Sequence, residues 1–67
     1  MNVGDLRRLC TERGLMVLGE PDRGLDAPPA LLVKARTDNH KLRDLPAGVR
    51  IRPSGSATTI VEAGQPA

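Results

Sequence analysis

The stretch that most constrains this chain is residues 48–64, GVRIRPSGSATTIVEAG. Val49 and Ile51 alternate with Arg50 and Arg52, the period-two spacing of a strand with one buried face. Pro53-Ser54-Gly55-Ser56 then supplies turn chemistry, and Gly55 can take positive φ at low cost. Residues 58–61 follow as a β-branched run, which favours extended backbone. The pattern predicts a β-hairpin. Pro53 has no N–H, so it can close the first strand but cannot sit in a central ladder. Two registers compete. With Arg52 opposite Thr58, Val49, Ile51, Thr59, Val61 and Ala63 share one face, and Arg50, Arg52, Thr58, Ile60 and Glu62 share the other. With Arg52 opposite Ala57, Val49 and Ile51 lie beside Thr58, Ile60 and Glu62. The first register segregates apolar from charged side chains better and is preferred; a one-residue slip would undo that segregation. An isolated hairpin is barely stable in water, so further strands or a helix must cover its apolar face.

The N-terminal third supplies such a helix. Val3, Leu6, Leu9 and Cys10 recur at three- and four-residue spacing, which predicts a helix over residues 3–13. Asn2 can cap it by accepting from the amide near Asp5, Asp5 complements the dipole, and Gly14 suits the position after the C-cap. Residues 15–18, all apolar, read as a strand. Residues 19–29 contain two Gly and three Pro and read as a loop long enough to carry contacts or motion. Residues 31–37 fit a strand by alternation. They also fit a helix capped by Asp26 with Pro28 and Pro29 in its first turn, and the strand is favoured because Asp38-Asn39 follows as a turn signal. A helical turn over 38–45, capped by Asp38, would point Leu42 and Leu45 at the core. The expected fold is therefore a small single α+β domain over 1–63. Its N-terminal helix packs on a three- or four-stranded, mostly antiparallel sheet with a C-terminal β-hairpin, and residues 64–67 form a disordered tail. Leu6, Leu9, Val49, Ile51 and Val61 are the expected core.

That core must be aliphatic, because the 67 residues include no Phe, Tyr or Trp. Aliphatic side chains bury less area each than aromatic ones, so a stability of only about a few kcal/mol is expected. The single cysteine, Cys10, excludes an internal disulfide and a multi-cysteine zinc site. Its place on the apolar stripe marks it as a small core residue. The longest apolar run, residues 30–33, is too short to span a membrane, and no signal-peptide core follows Met1. A cytoplasmic protein is the expectation.

Catalytic, cofactor and metal sites are not expected. His40, the only histidine, stands between Asn39 and Lys41 in the most polar part of the chain, where exposure is the ordinary outcome. No ligand spacing joins it to Cys10 or to carboxylates. Residues 53–57, PSGSA, hold one glycine, no following Lys and no following helix, so they are not a phosphate-binding loop. Few residues remain to enclose a substrate pocket.

Charge is more informative. The chain carries a net +2, but residues 34–52 hold Lys34, Arg36, Lys41, Arg43, Arg50 and Arg52 against only Asp38 and Asp44. Such a basic middle suggests a patch that meets something acidic. Those six residues are the candidate partner-binding site. A partner protein with an acidic surface is favoured, met by docking or by strand addition to the hairpin edge. Small, basic, aromatic-free chains of this kind suit a virus- or mobile-element-encoded regulator of a nucleic-acid-processing machine such as RNA polymerase. Direct nucleic-acid binding is the alternative, weakened by the lack of aromatic residues for base stacking. Residues 3–15, VGDLRRLCTERGL, resemble the first helix of SAP-type DNA-binding motifs over about a fifth of the chain. The second helix of such a motif does not follow, since the 19–29 loop intervenes, and no function is carried over. The expected state is a monomer or weak homodimer.

Overall fold

The computed structural model describes residues 1–22, 24 and 26–64. A helix, α1 (Val3–Glu12), precedes four strands: β1 (Val17–Gly19), β2 (Ala30–Val33), β3 (Val49–Pro53) and β4 (Thr59–Ala63). A short 3-10 turn, His40–Leu42, interrupts the connection from β2 to β3. The strands form one antiparallel sheet in the order β1-β2-β4-β3, with α1 lying across β1 and β2. The chain thus folds as the expected α+β domain, with the hairpin β3–β4 at one side. The tail expected over 64–67 lies, from residue 65 onward, outside the described residues, as do Arg23 and Leu25 of the 19–29 loop.

Local chemistry sets the ends of α1. The Asn2 side chain accepts from the Asp5 amide at 2.8 Å, and the Asp5 carboxylate accepts from the Asn2 amide at 3.4 Å, a reciprocal capping box. At the other end Gly14 adopts φ +74°, the left-handed conformation that glycine takes without a Cβ penalty. Its amide donates to the Thr11 carbonyl at 3.0 Å and that of Leu15 to the Cys10 carbonyl at 2.9 Å. This pair of bonds is a Schellman motif, and it brings Leu15 onto Cys10 within the core. The helix is one residue shorter than expected because Arg13 is the C-cap.

The sheet corrects three sequence expectations. The strand expected over 31–37 is Ala30–Val33 only, since the chain turns away after Lys34 donates its amide to the Met16 carbonyl at 2.8 Å. The hairpin pairs Arg52 with Ile60, not with Thr58 or Ala57. That is two residues from the preferred register, so the division into faces survives intact. The longer turn is closed by Ser54, whose amide donates to the Thr58 carbonyl at 3.1 Å, and by the Thr58 hydroxyl donating to the Ser54 carbonyl. The helical turn expected over 38–45 with an Asp38 cap is His40–Leu42 capped by Asn39, whose side chain accepts from the Lys41 amide at 2.8 Å. A tight turn ahead of β3 has Gly48 at φ +89° and is closed by the Val49 amide on the Pro46 carbonyl at 3.1 Å, as a type II turn requires.

The core comprises Leu6, Cys10, Leu15, Leu31, Val33, Ala35, Leu42 and Val61. Leu6 and Val61 are buried as expected, whereas Leu9, Val49 and Ile51 are only half-buried. For Val49 and Ile51 the reason is position: they sit on an outer strand, away from the β1–β2 half that the helix covers. Thr59 is the buried polar residue on the α1 side of the sheet. It is fully buried, and its hydroxyl donates to the Ala35 carbonyl at 2.7 Å. The Thr37 hydroxyl, 3.2 Å away, is then left to donate to Thr59. These bonds pin the segment after β2 against β4.

Leu6→Ala should cost on the order of 2–5 kcal/mol, and Leu9→Ala distinctly less because that side chain is partly solvated already. Thermal melts of the two variants test this. Leu6→Ala should lower Tm by roughly 10 °C or more. Equal losses in both variants would place α1 in the wrong rotation about its axis.

Candidate partner-binding surface

The structure divides the six candidate basic residues between two places. Val49 and Ile51 pack against the core, so strand alternation sends Arg50 and Arg52 to the sheet face away from α1, and both are exposed. Lys34 continues the alternation of β2 between buried Val33 and buried Ala35, so it also points outward. Lys34, Arg50 and Arg52 therefore share the outward face. Arg36 lies just beyond β2 with its Nε 3.6 Å from Asp38, and both side chains are about three-quarters exposed. An ion pair that open contributes little to stability.

Lys41 and Arg43 belong to a different corner, where they help hold the helix end. The Arg13 guanidinium donates to the Arg43 carbonyl at 2.6 Å, the Asp44 carbonyl at 2.8 Å and the Lys41 carbonyl at 3.4 Å. In return Lys41 Nζ donates to the Gly14 carbonyl at 3.2 Å. Asp44 sits at φ +55°, a conformation that Asp tolerates better than most residues. Two cations thus meet the C-terminal end of α1, where the backbone dipole favours positive charge and the last turn has no basic residue of its own. Arg13 was not among the residues expected to matter. From sequence it is one of three arginines on a helix, and only the fold brings the 41–44 carbonyls within its reach.

Along the outward face, cross-strand pairing sets Leu32 beside Ile60 and Ile60 beside Arg52. Gly19 pairs with Leu32 across an irregularity at Leu18. A second row runs Ala30, Glu62, Arg50, in which Ala30 and Glu62 are buried. Residues 15–18 alternate too: Leu15 and Val17 pack inward, while Met16 and Leu18 stand 60% and 49% exposed. Leu32 and Ile60 are half-buried. Sequence reading put Ile60 on the charged face but did not join it to Met16, Leu18 and Leu32 as one apolar surface. The residues 15–18 and 30–33 look like plain apolar runs until the sheet order shows which side each residue takes.

The hairpin edge offers less than expected. The bonds from Ser54 to Thr58 and from Gly64 to Gly48 place the even-numbered residues of β3 toward β4. Of the outward-pointing positions, Val49 has already donated its amide to Pro46 and Pro53 has none to give. Ile51 alone presents an N–H to an incoming strand. Proline and a short strand are the usual means of blunting an edge.

Burial pushes the Cys10 thiol above its ordinary value, although Arg13 and Arg7 pull the other way. The thiol is thus held neutral in the core, as suits a packing residue rather than a nucleophile. His40 is exposed at the start of the 3-10 turn. Among the described residues no group of three or more His, Cys, Asp or Glu side chains converges, and no pocket is found. Among the described residues no helix is long and apolar enough to cross a membrane.

The Arg13 clamp has a measurable consequence. Arg13→Ala should destabilise the fold by about 1–2 kcal/mol, because it strips three backbone carbonyls of a charged donor. Lys41→Ala should cost less, since it removes one bond at an exposed position. Urea unfolding of both variants reads the difference, and a larger loss for Lys41→Ala would contradict the clamp.

Comparison with protein-family models, with curated proteins and with solved structures gives no match to this chain.

Proposed function

We propose that this chain is a small regulatory protein that works by binding a partner protein with an acidic surface, without catalysing a reaction. The observation that carries this reading is the outward sheet face, where Lys34, Arg50 and Arg52 stand exposed together. Arg36, close by in sequence, adds a fourth charge partly offset by Asp38. Lys41 and Arg43 keep their exposed charge at the helix corner, but their backbone and Lys41 Nζ serve the fold, so they are secondary contacts in this reading. Arginine suits the task. Its guanidinium forks onto carboxylates with two parallel bonds, and arginines desolvated at an interface centre are frequent hot spots.

The Arg50→Glu/Arg52→Glu variant tests the reading. It reverses two exposed charges on an outer strand, so the fold should survive nearly unchanged. Pull-downs from the native host with wild type and variant, both treated with nuclease, should retain a protein on the wild type only. Loss of capture by the wild type after nuclease would favour nucleic acid instead. That alternative should also show a linear log–log fall with salt whose slope tracks the phosphates contacted. Equal capture by the two proteins would refute the basic face as the site.

A further inference from the structure

An antiparallel sheet with one solvated face ordinarily turns polar residues to water. Here the outward face instead runs Leu18, Leu32 and Ile60 across three adjacent strands, with Met16 one step before Leu18 on the same side. Lys34 and Arg52 border this stripe, and Arg50 stands one row further. The helix that buries the apolar side chains of the sheet lies on the opposite face. The second face is therefore built like a small interface: an apolar centre with a basic rim.

We infer that this face takes a segment of another protein that carries two or three large apolar side chains flanked by Asp or Glu. The inference rests on the partner-binding reading above and adds the face, the apolar centre and the chemistry of the occupant. Charge decides the occupant. Lys34, Arg50 and Arg52 are exposed, whereas the one acid among the strand residues of this face, Glu62, is buried at 7%. The exposed charges beside the Leu32–Ile60 row are thus Lys34, Arg50 and Arg52, with Glu62 buried opposite Arg50. A second copy packed face to face about a two-fold axis would bring the three cations of each copy into one shared contact. Like charges brought together in a desolvated contact are costly, whereas carboxylates in the same places are attracted. The edge is the weaker docking place, because Ile51 alone offers it an N–H, as described above. Arg52 contributes beyond its charge. It pairs directly with Ile60, so its methylene stem extends the apolar stripe while its guanidinium reaches the rim.

The test uses a synthetic helical peptide of Leu, Glu and Ala, with one Leu stripe flanked by Glu, titrated into isotope-labelled protein and followed by amide chemical shifts. The same peptide with Lys for Glu serves as control. Shifts should concentrate on Leu18, Leu32, Lys34, Arg52 and Ile60, and the Lys peptide should leave the spectrum unchanged. Leu32→Thr/Ile60→Thr keeps strand-favouring residues while removing the apolar centre, and it should weaken binding at least tenfold with the fold intact by its own spectrum. Binding unchanged in that variant but lost in Arg50→Glu/Arg52→Glu would overturn the apolar centre and leave the basic-face reading standing. Binding unchanged in both would overturn both. Absence of binding by the Glu peptide, or shifts confined to α1 and the 3-10 turn, would overturn this inference alone. Phosphatidylserine vesicles shifting these residues in place of the peptide would also overturn it, in favour of a lipid surface. So would concentration-dependent shifts of the same residues without peptide, in favour of a second copy.

Discussion

Everything in this fold depends on Leu6 and Cys10 of α1 meeting Leu31, Val33 and Val61 of the two central strands. With no aromatic ring available, the core is made of side chains of four carbons or fewer. Each contributes modest apolar area, so none can be spared. This dependence explains the care taken at the helix ends. The capping box fixes where α1 begins, and the Schellman turn folds Leu15 back onto Cys10. The Arg13 and Lys41 side chains then tie the helix end to the 41–44 segment, from which Leu42 enters the core. In a domain of this size, where net stability is about a few kcal/mol, such polar ties are a substantial share of what holds the chain together.

The inward side also accounts for the outward one. Val33, Thr59, Leu31 and Val61 must face α1, so period-two geometry sends Leu32 and Ile60 to the other side regardless of what water would prefer. That these positions hold Leu and Ile in place of Thr or Lys is a choice of sequence, not a demand of the fold. A solvated antiparallel face has no structural need for them. The apolar centre with its Arg and Lys border is therefore a feature of this molecule that folding leaves unexplained.

Much of this architecture could be read from the chain. Asn2, Asp5 and Gly14 announce the helix and its ends, because capping is local chemistry written within a few residues. The alternation of Val49, Ile51, Thr59 and Val61 gives the hairpin faces even though the register moves by two, since parity alone decides which side a residue takes. What could not be read depends on contacts distant in sequence. Thr59 looks like any β-branched strand residue until Ala35 and Thr37 arrive as its partners. Alternation puts Leu32 on the side of Lys34, but only β2 lying between β1 and β4, with the helix on one side, shows what that side meets. The basic run from Lys34 to Arg52 reads as one patch in sequence. The fold splits it, because the 3-10 turn carries Lys41 and Arg43 to the helix corner.

The surface assigned to a partner requires a sheet covered by α1 on one face and open on the other along Leu18, Leu32 and Ile60. Hydroxyl-radical footprinting of the free protein, read residue by residue by mass spectrometry, tests this most directly. Met16 should be modified as readily as Met1, Leu18 faster than Leu32 and Ile60, and Leu6, Leu31, Val33 and Val61 only upon unfolding. Protection of Met16 and Leu18 equal to that of Leu31 and Val33 in the monomeric protein would contradict the open face and with it the surface assigned to a partner.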